Sequence, residues 1–110
     1  MYNYNATVQR VVDGDTVVLD IDLGFTIHWK SSCRLWGIDT PELKSKDGAV
    51  RERAMVSKQY LVDKIPVGSI VNINSKSLDK YGRPLVEIFF NDVNINEDIV
   101  SKGLAVKYIL

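Results

Sequence analysis

What most limits the fold of this chain is the order in which strand-like and helix-like runs follow one another. Ala6-Thr7-Val8-Gln9-Arg10-Val11-Val12 is rich in β-branched residues and reads as a strand. Asp13-Gly14 signals a turn into the run Thr16-Val17-Val18-Leu19-Asp20-Ile21-Asp22. A second turn near Leu23-Gly24 leads into Phe25-Thr26-Ile27-His28-Trp29-Lys30, and extended character continues through Cys33-Arg34-Leu35-Trp36. Asp39-Thr40-Pro41-Glu42 ends this meander, because proline restricts the residue before it and breaks pairing. Beyond the polar loop Lys44-Ser45-Lys46-Asp47-Gly48, the apolar residues Val50, Ala54, Leu61 and Ile65 recur at helical spacing. They predict an amphipathic helix of about four turns, stopped by Pro66. Residues 68–75 alternate as a strand, Asp79-Lys80-Tyr81-Gly82 is a hairpin turn, and Leu85-Val86-Glu87-Ile88-Phe89-Phe90 is the next strand. A short helix is expected over 96–102, with Asn96 as N-cap and Gly103 as its stop. Three strands, a helix, two strands and a helix give an α+β, mainly β class. It is the element order of a five-stranded OB-fold barrel with two helices, the first plugging the barrel between strands three and four.

The 110 residues suit a single domain spanning 1–110. Hydrophobic residues at 45% and charged residues at 25% exclude the disordered and fibrous classes. No apolar run approaches the roughly 20 residues of a membrane helix, so no membrane partner is expected. The start, Met1-Tyr2-Asn3-Tyr4-Asn5, lacks the basic and apolar segments of a secretory signal. The sequence as it stands therefore reads as cytoplasmic, or as a mature secreted form whose leader has been removed. Nothing points to an obligate protein partner, and a monomer is expected.

One cysteine and one histidine exclude zinc-finger and His/Cys metal chemistry. Cys33 reads as a small apolar strand residue. A Cys33–His28 nucleophile pair is discounted, because an odd separation along a strand sends the two side chains to opposite faces. Fourteen basic residues balance fourteen acidic ones. Any phosphate site must therefore be local rather than a general basic surface.

Two acidic residues stand at sharp turns: Asp15 after Asp13-Gly14, and Asp39 before Thr40-Pro41-Glu42. Carboxylates fixed at strand ends suit a hard cation with oxygen ligands, although aspartate is also an ordinary turn residue. Arg34 lies in a strand between Cys33 and Leu35, and Arg83 directly follows the second hairpin turn. A strand arginine between apolar neighbours needs a carboxylate or a phosphate for its fork. Asp15 or Glu87 is the candidate partner for a purely structural ion pair. Asp20-Ile21-Asp22-Leu23-Gly24 lacks the ligands and flanking helix of an EF-hand. Trp29, Trp36, Phe89 and Phe90 read as core or barrel-surface residues, and Lys44 and Lys46 as solvent-facing loop lysines.

Val12-Asp13-Gly14-Asp15-Thr16, Arg34-Leu35-Trp36-Gly37-Ile38-Asp39-Thr40-Pro41-Glu42 and Asp79-Lys80-Tyr81-Gly82-Arg83 resemble three signature blocks of the staphylococcal nuclease (thermonuclease) family, in the family's order. Val93-Asn94-Ile95-Asn96-Glu97 through Gly103-Leu104-Ala105 resembles a fourth. The resemblance implies metal ligands at the Asp15 and Asp39 side chains and the Thr40 carbonyl, with calcium as the cofactor. It implies phosphate binding by Arg34 and Arg83, and water activation by Glu42. Lys80 and Tyr81 fall on positions that touch a nucleotide phosphate. The family usually continues past Gly103-Leu104-Ala105 with base-stacking aromatics and a third helix, and Tyr108 is the aromatic offered here. From the residues alone, two carboxylates and a carbonyl fit Ca²⁺ or Mg²⁺.

The implied activity is metal-dependent hydrolysis of phosphodiester bonds in DNA and RNA with little sequence preference, the family precedent leaving 3′-phosphate ends. The alternative is a non-catalytic OB-fold module that binds single-stranded nucleic acid or a protein partner. A calcium-binding structural domain would account for the carboxylates but leave both arginines without a purpose.

Overall fold

In the computed structural model, which describes residues 2–108, five long strands close into a barrel carrying two helices. Strands β1 (Tyr2–Asp13), β2 (Thr16–Asp22) and β3 (His28–Leu35) form an antiparallel meander. The two-residue β4 (Ile38–Asp39) and helix α1 (Gly48–Lys64) follow, then β5 (Ile70–Leu78), β6 (Pro84–Phe90), the short β7 (Val93–Asn94), helix α2 (Ile95–Ser101) and the short β8 (Val106–Lys107). The sheet runs β3-β2-β1-β5-β6, and a parallel pairing of β3 with β6 joins its ends. That closure is short: Arg34 stands level with Leu85, and Leu35 with Val86. The expected α+β OB-type barrel is the architecture observed.

Period-2 alternation builds the core. Val8, Val17, Leu19, Cys33, Leu35, Ile73, Val86 and Ile88 point inward and are fully buried, while their strand neighbours, Thr16 and Leu85 excepted, are half-buried or exposed. Cys33 is a buried strand residue, as expected of a small apolar side chain, and burial pushes its thiol up to about 12. His28 sits on the exposed face and contacts Asp20, so no Cys/His pair forms.

Helix α1 begins where Asp47 caps it, accepting from the Ala49 and Val50 amides, and ends at Ile65 before Pro66. Its buried stripe is Ala54, Ser57 and Leu61, with Ile65 just beyond; Val50 is only half-buried. Ser57 is tolerated in the stripe because its hydroxyl donates to the carbonyls of Arg53 and Leu104.

Two local expectations need correction. Phe25 and Thr26 are not strand residues. They form the tip of the β2–β3 hairpin at φ 55° and 63°, closed by the Ile27 amide donating to the Gly24 carbonyl. The N-cap of α2 is Asn94, whose side chain accepts from the Glu97 amide. Asn96 instead lies inside the helix and is buried. Its side chain accepts from the Ile88 amide and donates to the carbonyls of Trp36 and Val86. It thereby ties α2 to the seam where β3 and β6 meet.

Candidate active site

The site is assembled at the end of the barrel where β1 turns into β2 and β3 reaches β6. Asp13 and Thr16 pair across a tight turn, and Asp13 Oδ1 accepts the Asp15 amide at 3.0 Å. The turn fits because Gly14 has no side chain: a Cβ there would meet Ser57 Cβ at 2.7 Å and Thr40 Cγ2 at 2.9 Å. Gly14 is thus the point where α1 and the Thr40 loop close on the turn.

Asp15 is buried and its carboxylate is fully engaged. Oδ1 accepts the Thr16 hydroxyl at 3.1 Å, while Oδ2 accepts the Thr40 amide at 3.2 Å and lies 2.8 Å from Arg34 Nη1. Arg34 is level with Thr16 on the neighbouring strand, which brings the two side chains together. Its other nitrogen, Nη2, donates to the Ile38 carbonyl at 3.1 Å and to Asp39 Oδ1 at 3.3 Å. One guanidinium therefore bridges Asp15 and Asp39, the two residues the sequence singled out as cation ligands. Of the two partners considered for Arg34, Asp15 is the one found; Glu87 pairs with Lys76 at 2.8 Å instead.

Charge is distributed unequally within this cluster. Burial and the neighbouring Asp15 push the Asp13 carboxyl up to about 6. Burial also opposes ionisation of Asp15, but hydrogen bonds from Asp13, Arg34 and the Thr40 amide outweigh it and hold that carboxyl below its ordinary value. Burial acts against the Arg34 charge too, and the two carboxylates more than reverse it. At neutral pH, Asp15 and Arg34 form a mostly buried, charged pair.

Asp39 is held by the β4–β8 pairing, which sets it opposite Val106. A groove of about 660 Å³ opens beside Asp39, Thr40 and Pro41, walled by Arg53 and Val56 of α1 and by Leu104. Glu42 is exposed on the loop leaving Thr40, and its carboxylate makes no hydrogen bond or ion pair among the described residues. Arg83 lies two residues before Leu85, the partner of Arg34 across the seam. It is anchored by Asp79, whose Oδ2 lies 2.7 Å from Arg83 Nε and whose Oδ1 accepts the amides of Tyr81 and Arg83. Tyr81 is 73% exposed, with Lys80 Nζ 5.1 Å and Arg83 Cζ 5.6 Å from its ring centre. Tyr108 donates its amide to the Gly37 carbonyl and lines a second cavity, of about 700 Å³, with Trp36 and Glu87.

Asp15, Arg34, Asp39 and Thr40 thus make direct contacts, and Arg83 with Lys80 and Tyr81 occupies the adjoining hairpin. Glu42 and Tyr108 flank the cluster without touching it. Asp13, Gly14 and Asn96 were missed as site-building residues. The spacing Asp13-Gly14-Asp15 was the available signal for the first two; nothing local marks Asn96. No three His, Cys, Asp or Glu side chains cluster as metal ligands among the described residues.

A mainly β barrel of OB type with an acid–arginine cluster at one end defines the structural class. The chain belongs to the staphylococcal nuclease homologue family, whose profile matches residues 32–110. The Asp13–Thr16 turn lies upstream of that match. An uncharacterised protein of Methanocaldococcus jannaschii is 28% identical over 97% of this chain and 60% of its own length. Thermonuclease of Staphylococcus intermedius is 28% identical over 89% of this chain and 56% of its own length. Endonuclease YncB of Bacillus subtilis is 26% identical over 92% of this chain and 46% of its own length. The chain spans about half to three-fifths of these relatives. Among the described residues, no helix is long and apolar enough to cross a membrane.

Proposed function

We propose that this chain is a calcium-dependent nuclease that hydrolyses phosphodiester bonds of DNA and RNA with little base preference. The observation that carries the reading is the single guanidinium of Arg34 shared by Asp15 and Asp39. It means that two anions and a cationic fork already converge where one phosphate could be held.

The donor chemistry fits a hard cation. Asp15 and Asp39 are drawn to one guanidinium at strand ends and the Thr40 amide is bonded to Asp15, so the two carboxylates with the Thr40 carbonyl would offer an all-oxygen set. Asp15, Asp39 and the Thr40 carbonyl would hold the ion, which supplies Lewis-acid polarisation of a phosphate oxygen when bound.

The chain's own residues do the rest. Arg34 and Arg83 bind non-bridging oxygens in forked geometry and hold them more tightly as negative charge accumulates. Arg83 arrives oriented, because Asp79 fixes its Nε. Glu42, free on its loop, takes a proton from the water that adds to phosphorus. The bond from phosphorus to the 5′ oxygen then breaks, that oxygen takes a proton from solvent water, and a 3′-phosphate and a 5′-hydroxyl remain. Lys80 and Tyr81 meet an adjacent phosphate, and Tyr108 offers a ring to a base. No side-chain nucleophile is needed.

The test is digestion of plasmid DNA, single-stranded DNA and RNA with calcium and then with excess chelator. Cleavage of all three that stops on chelation is expected. Binding of single strands without cleavage in calcium would instead identify a non-catalytic module.

A further inference from the structure

We propose that the β2–β3 hairpin tip docks the protein on a lipid bilayer surface, with Phe25 as the inserted side chain. Phe25 is 96% exposed, and Leu23, Ile27 and Trp29 around it are also exposed. This arrangement continues the barrel's interior pattern rather than breaking it. Trp29 is level with the buried Ile21, so it shares that residue's inward face, and Leu23 and Ile27 extend the face past the end of the core. An apolar surface therefore overshoots the barrel and ends in a bare phenylalanine. Exposed apolar groups gathered in this way mark contact surfaces.

The backbone of the tip sets it apart in composition. Phe25 and Thr26 both adopt left-handed conformations, which bulky and β-branched residues avoid. The same two-residue hairpin geometry recurs at Asn91 and Asp92, the polar residue types such a turn favours, whereas the β2–β3 tip puts a phenylalanine in that place.

Three features favour a lipid occupant over a protein. First, the tip's polar groups are largely committed internally. The Leu23 amide donates to the Ile27 carbonyl, the Ile27 amide to the Gly24 carbonyl, and the Gly24 amide to Asp22 Oδ1. Among the described residues the Phe25 and Thr26 amides are left without a partner, so the loop suits the headgroup interface, where oxygen acceptors are at hand, and not the hydrocarbon interior. Second, a collar of amphipathic residues stands one step behind the point: Trp29 on β3, and the exposed Tyr2 where β1 begins at the same end. Aromatic residues with a polar edge settle at that depth of a membrane interface. Third, the collar carries no excess of positive charge. Asp20 is paired with His28 at 3.2 Å, Asp22 is engaged with Gly24, and Lys30 lies alongside. Attachment should therefore depend on apolar insertion and not on anionic headgroups. The absence of a membrane-spanning run, which suggested no membrane contact, does not bear on a tip that needs no span.

The position of the tip gives the contact a use. β2 runs from Thr16, beside the Asp15 cluster, to Asp22 at the tip, about 20 Å at the usual rise. A molecule docked by its tip would hold the Asp15–Arg34 end away from the surface and open to solution.

The test is flotation with phosphatidylcholine vesicles, and with vesicles containing one-fifth phosphatidylserine, at millimolar lipid. Wild-type protein should float with both to a similar extent. Phe25→Asn, which suits the left-handed turn, should unfold at the same temperature but lose partitioning by about tenfold or more. In a Trp36→Phe background, Trp29 emission should be quenched by lipids brominated in their acyl chains. Wild-type protein that stays unfloated, or Phe25→Asn protein that floats as well as wild type, would overturn the proposal. So would a wild-type dimer that Phe25→Asn dissociates, because the tip would then serve a second copy. The outcome is independent of whether the distant site cleaves nucleic acid.

Discussion

Arg34 Nη1 stands 2.8 Å from Asp15 Oδ2, joining the end of β3 to the start of β2 through a pair largely withdrawn from water. Removing one member strands the other. Arg34→Ala should destabilise the protein by about 3 kcal/mol in chelator, because a buried carboxylate loses its counter-charge. Added calcium should restore part of the lost stability by occupying the same carboxylates. Thermal unfolding with and without the ion reads both effects, and an unchanged melting temperature in chelator would show the pair to be energetically neutral.

Arg83 offers the contrasting case. Its ion pair with Asp79 is local and partly exposed, so Arg83→Ala should alter stability by less than about 1 kcal/mol. Its loss should nevertheless slow cleavage on the order of a hundredfold, as removal of one transition-state donor does. Steady-state kinetics beside a melting curve separates the two, and wild-type turnover would take Arg83 out of the chemistry.

Glu42 is exposed and unpaired, so Glu42→Gln should leave unfolding unchanged and lower turnover by about a hundredfold or more. Calcium affinity measured by titration calorimetry should not move. Parallel loss of rate and affinity would instead make Glu42 a ligand.

Gly14→Ala probes the packing that holds the site closed. The new methyl would press on Ser57 and Thr40 at distances below ordinary contact, so a loss of about 1–3 kcal/mol is expected. Because Thr40 must give way, calcium binding should weaken as well. Retention of both quantities would show that the turn can relax without disturbing the loop.

Glu87 sets a pH signature. Burial alone would raise its carboxyl, but Lys76 and Asn94 outweigh it and hold the group below its ordinary value of 4.5. A depressed native value means that the unfolded chain binds the proton first as pH falls. The stabilisation is therefore complete above 4.5 and is lost as pH drops through the native value. Glu87→Gln should lower stability at neutral pH by about 0.5–1 kcal/mol, and the difference from wild type should vanish in acid. A gap that persists at low pH would trace the effect to packing and not to charge.

The strands were legible where burial alternates. Thr16–Asp22 was read with its observed bounds, because Val17, Leu19 and Ile21 face the core and their neighbours do not. The first four residues of β1 escaped notice because Tyr2-Asn3-Tyr4-Asn5 has no β-branched side chain and pairs with β5 across the sheet. Phe25-Thr26 read as strand because their composition favours it, whereas the backbone there is a left-handed turn more usual for Asn and Gly. The ribbon of β4 with β8 was invisible, since two-residue strands leave no period to detect. For the site, chain order revealed the acidic and basic residues but not their pairing. That Arg34 reaches Asp15 and Asp39 while Glu87 turns to Lys76 depends on which strands become neighbours. Asn96 shows the same limit: besides Val86 and Ile88 of the preceding strand, its side chain bonds Trp36, which only the closed seam brings near.

The seam between β3 and β6 has a consequence for biosynthesis. Asp15, Arg34, Asp39, Thr40 and Glu42 are all translated before the strand that fastens Arg34 in place and before the β8 segment opposite Asp39. For a stretch of synthesis these five groups therefore exist without Arg83 and without the frame that aligns them. A fragment ending before Pro84 should leave the Asp15–Arg34–Asp39 cluster unassembled.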